Sequence, residues 1–211
     1  MDRLELNSCF LLAGRAWQVV VIHHNDRLIS VQPAAWGIEP SWGGFAPQFL
    51  TAELCGEIRA VLKDTAEPSY LHPGVVPHLR ERRAQFAEIM ERPGGIVWEP
   101  GDIRWWTFAG GRINTTLQFA LRDLGDWKVT ADNFTVRVRS EATAHGEFMA
   151  ARRMLREPGF WSDAGRWSGL ELPSWRLSKF QRAMPERAQH EMLSRFLLDL
   201  EGTAHFLGVE T

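Results

Sequence analysis

Cysteine, tyrosine and lysine are nearly missing from this 211-residue chain. Two cysteines, Cys9 and Cys55, make neither a disulfide framework nor a four-ligand zinc site, and they fit a reducing cytoplasm. None of the three lysines, Lys63, Lys128 and Lys179, follows a glycine-rich segment. That excludes a stand-alone P-loop ATPase, whose lysine must reach the phosphates from such a loop. His-Glu-x-x-His, Gly-x-Ser-x-Gly and Cys-x-x-Cys are lacking as well, so no zincin, nucleophile-elbow or dithiol chemistry is expected. No apolar run approaches the ~20 residues of a spanning helix. The opening MDRLELNSCF has no basic stretch followed by an apolar one, so no export is expected. The Asn-x-Thr triplets at Asn114 and Asn133 then carry no glycosylation meaning.

What is present is tryptophan and arginine. Ten tryptophans stand against one tyrosine. Most tryptophans serve as core, but exposed ones stack on bases. Arginine supplies nearly all the positive charge; it grips phosphate as a fork and stacks on rings. A GC-rich genome produces the same bias without a functional cause. The net charge of −2 argues against a uniformly basic coat. Its distribution is uneven: residues 137–182 hold 9 basic and 5 acidic side chains, and 183–211 hold 2 and 5. A local basic patch is therefore allowed.

The stretch from Ile103 to Leu124 organises the remainder. Ile103, Trp105 and Thr107 alternate with Arg104, Trp106 and Phe108, which predicts a strand. Gly110-Gly111 breaks it, and Ile113, Leu117, Ala120, Leu121 and Leu124 then share one face of a helix. A helix N-terminus beside Arg104 and Arg112 suits an anion, phosphate above all; a tight structural connection is the plainer alternative.

Around that stretch, residues 4–34 predict three antiparallel strands with turns at Ala13-Gly14-Arg15 and His24-Asn25-Asp26. Residues 35–49 form a Trp/Gly/Pro loop. Helices are predicted from about Thr51 to Lys63 and from about Pro73 to Arg92. IVWEP and DIRWWTFA then form two strands around Pro100-Gly101. A further hairpin crosses Asp132-Asn133, with Val136 and Val138 on one side and Arg137 and Arg139 on the other. Such an arginine pair is a candidate phosphate contact or a solvated face. A helix from about Thr143 to Arg156 precedes a loop carrying Trp161, Trp167 and Trp175. The chain ends in one long helix with Met192, Phe196 and Leu200 along a stripe. Glu99 and Asp102 flank the Pro-Gly turn, where turn chemistry explains them more cheaply than acid–base catalysis.

Four stretches together resemble the C-terminal part of Lhr-type superfamily 2 DNA helicases. They are FLLAGRAWQVVVIHHNDRLISVQPA, SWGGFAPQFLTAELCGEIRAVL, WWTFAGGRINTTLQFAL and KFQRAMPERAQHEMLSRFLLDLEGTAHFL. The first resembles the opening strands of that family's β-barrel-containing accessory domain, with a Gly-Arg-x-Trp turn leading into a hairpin. The resemblance implies an α+β fold, a small antiparallel β-barrel or sheet with packed helices, as one domain over 1–211 with a possible subdivision near 140. It implies a DNA-facing role at Gly14, Arg15, Trp17, Trp105, Trp106, Gly110, Gly111, Arg112 and Asn114. Arg104, Arg137 and Arg139 join these from the residue patterns above. The family's two RecA-like motor domains, each about 150 residues, have no counterpart here, so ATP turnover and unwinding do not carry over. The expectation is a non-catalytic accessory domain that needs no cofactor or metal. It would guide single-stranded or forked DNA beside a helicase motor on the same or another chain. The competing expectation is a protein–protein module that docks a partner through the Trp-rich loops 35–49 and 160–176.

Overall fold

The computed structural model describes residues 5–37, 47–139, 145–173, 175, 177–178 and 180–209, with residue 182 described by its backbone alone. The chain divides into two compact units, Met1–Ala46 and Pro47–Thr211. Residues 140–144, near which the sequence places a possible subdivision, lie outside the described residues.

The first unit is the expected meander, in which β1 (Cys9–Leu12), β2 (Arg15–His23) and β3 (Leu28–Pro33) pair antiparallel in that order. Ala13 and Gly14 both take positive φ, 52° and 72°, which is the backbone twist a two-residue hairpin loop requires. An irregularity between Val19 and Val21 shifts the register, so that Val19 faces Val31 but Val21 faces Ser30. One extra residue on a strand reverses which side chains face inward. Val19 is accordingly fully buried while Val20 and Val21 are exposed.

The second unit is built on a four-stranded antiparallel sheet ordered β4 (Ile96–Glu99), β5 (Asp102–Trp106), β7 (Thr135–Arg139), β6 (Lys128–Ala131). Its inner face presents Ile96, Ile103, Trp105, Val129, Val136 and Val138, which pack with α3 (Gly111–Leu124), α4 (His145–Met154) and the residues around α8 (Leu200–Phe206). The predicted helical stripe Ile113, Leu117, Ala120, Leu121 is the face of α3 that is buried. Each large aliphatic side chain so buried stabilises the fold by about 1.5–3 kcal/mol. An antiparallel sheet with α3, α4 and α8 on its inner face, and α2 (Val76–Glu91) against Trp106 on the other, makes the chain α+β.

The closed barrel is not formed among the described residues. Both sheets are open, with free edges at β1 and β3 and at β4 and β6. Small barrels close with about five strands or more, and neither sheet reaches that number. Of the β6 edge, the Val129 carbonyl accepts from Arg122 Nη2 at 2.6 Å, so a side chain occupies a position where another strand could add.

Three further elements differ from the sequence expectation. The Trp161/Trp167 segment is two short helices, α5 (Pro158–Ser162) and α6 (Ala164–Ser168), not a loop. Asp163 caps α6 by accepting from the N–H groups of Gly165 and Arg166. The terminal helix is broken into α7 (Glu186–Leu197) and α8, because Asp199 takes an extended conformation and caps the new helix at Gly202. In α7 the fully buried residues are Leu193 and Leu197, while Met192 and Phe196 of the expected stripe are half-buried. Finally, α2 (Val76–Glu91) has no fully buried residue, although α1 (Ala52–Lys63) starts at Thr51, whose hydroxyl caps it as predicted. No helix among the described residues is long and apolar enough to cross a membrane.

Candidate functional site

The Gly110-Gly111 turn is closed to an anion. Gly110 N–H donates to the Asn133 carbonyl at 3.1 Å and Gly111 N–H to the Leu50 carbonyl at 3.0 Å. Ala109 N–H donates to Thr107 Oγ1 at 3.3 Å. The N–H groups of the two glycines, which a phosphate seated in the turn would use, are therefore already paired within the protein. Both glycines are buried. A Cβ on Gly110, at φ +84°, would meet Leu50 O at 2.7 Å, so glycine is required for conformation and for close approach. Phe108, at φ +51°, turns the chain out of β5 at a backbone cost of about 1–3 kcal/mol. It is held by its N–H bond to Phe134 O at 3.0 Å and by ring contacts with Trp106 and Phe134.

The segment that plugs the turn is the Asp132-Asn133 hairpin loop. Asn133 Oδ1 accepts from Leu50 N–H at 2.9 Å, and its Nδ2 donates to Gln48 O at 3.3 Å. Asp132 closes the loop by accepting from the N–H groups of Phe134 and Thr135, at 2.7 and 2.8 Å. Cys55 lies beneath, its Sγ 3.4 Å from Asn133 O. Burial pushes its thiol up, away from the thiolate form. Sequence reading took Asp132 and Asn133 for an ordinary turn, and nothing local marks the roles they play.

Several expected contact residues are accordingly structural. Asn114 is fully buried, accepting from Thr107 Oγ1 at 2.6 Å and donating to Asp132 O at 2.8 Å. Trp105 lies in the core with the Arg152 guanidinium 4.6 Å from its ring centroid. Arg112 donates from Nη2 to Arg195 O, at 2.9 Å, and to Leu198 O, capping the C-terminal end of α7. Trp161 and Trp167 stack on each other in the core, ring centroids 5.4 Å apart, and so present no docking surface. Of loop 35–49, residues 38–46 lie outside the described residues. In the first unit, Gly14 shapes the hairpin turn, Arg15 is exposed at the start of β2, and Trp17 is half-buried with Nε1 3.3 Å from Leu12 O.

What the structure does bring together is the outer face of the four-stranded sheet. Strand register sets two rows across it: Val97, Arg104, Arg137, Thr130 and Glu99, Asp102, Arg139, Lys128. Trp106 stands at the end of β5, half-buried, its ring edge-on to Phe86 of α2 at 5.3 Å. Asp102 takes the Arg137 guanidinium as a fork, with Nε at 2.7 and 2.8 Å from its two oxygens, and lies 3.7 Å from Arg139. The Arg137 hydrogen bonds and the nearby positive charges hold the Asp102 carboxyl below the usual range, against a smaller opposing effect of burial. Glu99 and Asp102 are thus neighbours across the turn, but Asp102 is committed to an arginine and unsuited to proton transfer.

Arg104 forms no hydrogen bond or ion pair with any described side chain, although Arg137 stands directly opposite. Together with Trp106 it forms a ridge between two recesses. One, of about 180 Å³, opens toward α2 and includes Ile89, Arg92, Val97 and Glu99. The other, of about 350 Å³, lies over Thr130, Thr135 and Arg137. The face as a whole carries four cations, Arg104, Lys128, Arg137 and Arg139, against the carboxylates of Glu99 and Asp102. Among the described residues no group of three His, Cys, Asp or Glu side chains is placed to hold a metal.

Comparison with protein-family models, with curated proteins and with solved structures returns no match.

Proposed function

We propose that the chain is a non-catalytic nucleic-acid-binding domain that takes single-stranded or forked DNA across the outer face of its four-stranded sheet. The observation that carries this is the pairing of unlike surface roles on one rigid face. Arg104 and Arg137 oppose each other as like charges on adjacent strands, and Asp102 beside them bonds Arg137 but not Arg104. Trp106 stands next to them, half-buried, in ring contact with Phe86 and Phe108. Cations that track a backbone, with an aromatic platform for bases, are what sequence-tolerant single-strand binding uses. Lys128, Arg137 and Arg139 meet phosphates in this reading, Trp106 stacks a base, and Arg104 faces the base edges. The resemblance of four stretches to Lhr-type helicases supports the reading that the domain works beside a superfamily 2 helicase motor on the same or another chain.

The test is fluorescence polarisation with labelled single-stranded and forked DNA across a salt series. Binding is expected to weaken linearly in log–log form, with a slope of about −0.7 for each phosphate neutralised on a single strand. No binding at ~50 mM salt, or binding insensitive to salt, removes the proposal.

A further inference from the structure

Resting on that reading, we infer that the recess between α2 and the sheet is a pocket for a single base, and that its preferred occupant is guanine. At about 180 Å³ it is smaller than the roughly 300–1,000 Å³ of pockets that enclose whole small ligands. It therefore suits one ring system inserted from a longer molecule. Its walls are right for a flat ring: Val97 on the sheet, Ile89 on α2 and the indole of Trp106.

The polar groups of the recess can be taken in turn. Glu88 is paired with Arg92 along α2, and Asp102 is paired with Arg137. Glu99 and Arg104 remain, one carboxylate and one guanidinium, and neither forms a hydrogen bond or ion pair with a described side chain. Arg104 faces Val97 across the ladder and Glu99 faces Asp102, so Glu99 and Arg104 are diagonal neighbours. Diagonal side chains on a sheet face are within reach of each other, as Asp102 and Arg137 show, yet Glu99 and Arg104 are not bonded and both line the recess.

A ligand that satisfies both must present adjacent acceptors to the guanidinium and adjacent donors to the carboxylate. A carboxylate only accepts, and arginine only donates. Guanine has O6 and N7 side by side as acceptors, the pair arginine grips most often. On its Watson–Crick edge it has N1–H and the N2 amino group side by side as donors. Adenine offers N6 and N7, cytosine N4 beside acceptors, and thymine one imide N–H, so each makes a fork with one residue at most. Reading an unpaired base on this edge requires a single strand or a splayed end, which agrees with the class of DNA in the parent proposal.

The experiment uses the full chain and oligothymidylate carrying one central guanine, adenine, cytosine, hypoxanthine or 7-deazaguanine, with Kd measured at fixed salt. Guanine is expected to bind about 10-fold more tightly than the other natural bases. Hypoxanthine, which lacks the N2 amino group, and 7-deazaguanine, which lacks N7, lose most of that gain. Glu99→Gln abolishes the distinction between guanine and hypoxanthine. Arg104→Lys, which keeps the charge but loses the fork, abolishes that between guanine and 7-deazaguanine and leaves the salt slope unchanged. Circular dichroism confirms that both variants are folded. Equal affinity for every base with the salt slope intact overturns the guanine pocket and leaves the sheet-face proposal standing. A guanine preference that survives both substitutions also overturns it, by placing the readout elsewhere. Absence of binding to every oligonucleotide overturns the sheet-face proposal and this one with it.

Discussion

Arg104 on β5 and Arg137 on β7 stand directly opposite each other in the sheet, and only Arg137 has a carboxylate partner. Like charges at facing positions destabilise a ladder by tenths of a kcal/mol to about 1 kcal/mol. Asp102 bonds Arg137 and attracts Arg104 without a hydrogen bond to it. The guanidinium of Arg104, bonded to no carboxylate, is why the proposed DNA surface is drawn on this face rather than at the glycine turn.

The arginines of the chain separate by salt dependence. Arg139→Ala removes an exposed cation from the row Glu99, Asp102, Arg139, Lys128, and the slope of log affinity against log salt should fall by about one unit. Arg112→Ala should leave that slope unchanged, since its guanidinium caps α7. It should instead lower stability by about 1–2 kcal/mol in urea denaturation, the scale of a lost charge-assisted bond. An equal loss of slope in both variants would contradict the placement of the DNA surface.

Adjacent tryptophans should differ in kind. Trp105→Ala opens a cavity beneath the sheet and should cost about 3–5 kcal/mol of stability. Trp106→Ala faces outward and should instead weaken single-strand binding by about 1–3 kcal/mol, the worth of one stacked base. Binding and urea titrations on the two variants check this. Unchanged affinity in the folded Trp106 variant would remove stacking from the mechanism.

Asn114 is a buried polar junction rather than a contact residue. Asn114→Leu leaves the Asp132 carbonyl without its side-chain donor, while the Thr107 hydroxyl keeps Phe134 O at 3.2 Å. A loss of about 1–3 kcal/mol for that unsatisfied group is expected. Asn114→Asp should be worse near neutral pH, because the buried amide donor to Asp132 O is replaced by a charge. Thermal denaturation of the two variants tests the order.

The acid limb of stability should carry the signature of Asp102. Its folded carboxyl lies below the ordinary aspartate range, chiefly through the Arg137 hydrogen bonds. The group thus stabilises the fold above the unfolded value of about 3.9 and loses this contribution as pH falls through the folded value. Against Asp102→Asn, the wild-type advantage should be constant above about pH 5 and shrink below about pH 4. A gap that widens on acidification would reverse the assigned sign.

Alternation along a strand and spacing along a helix are local properties, so they are legible in the chain itself. Ile103 and Trp105 inward with Arg104 and Trp106 outward, Val136 and Val138 inward with Arg137 and Arg139 outward, and the apolar stripe of α3 all follow from side-chain period. The hairpin turns at Ala13-Gly14 and Pro100-Gly101 follow from residue type. Sequence by itself thus determined the strands β1 to β7, the helices up to α4 and the buried faces of β5, β7 and α3, but not α5, α6 or the break between α7 and α8. Only the tertiary structure decided what the outward residues meet. The partner of β5 is β7, reached after a whole helix and another strand, and that pairing sets Arg104 against Arg137 and brings Asp102 to an arginine 35 positions away. Likewise Gly110 and Gly111 read as an anion-binding turn until Leu50 and Asn133 close over them, two residues bonded across 83 positions. Such contacts depend on which buried faces share one core, and core packing is indifferent to distance along the chain. The long-range fit therefore turned the glycine turn into a packing joint and left the sheet face exposed.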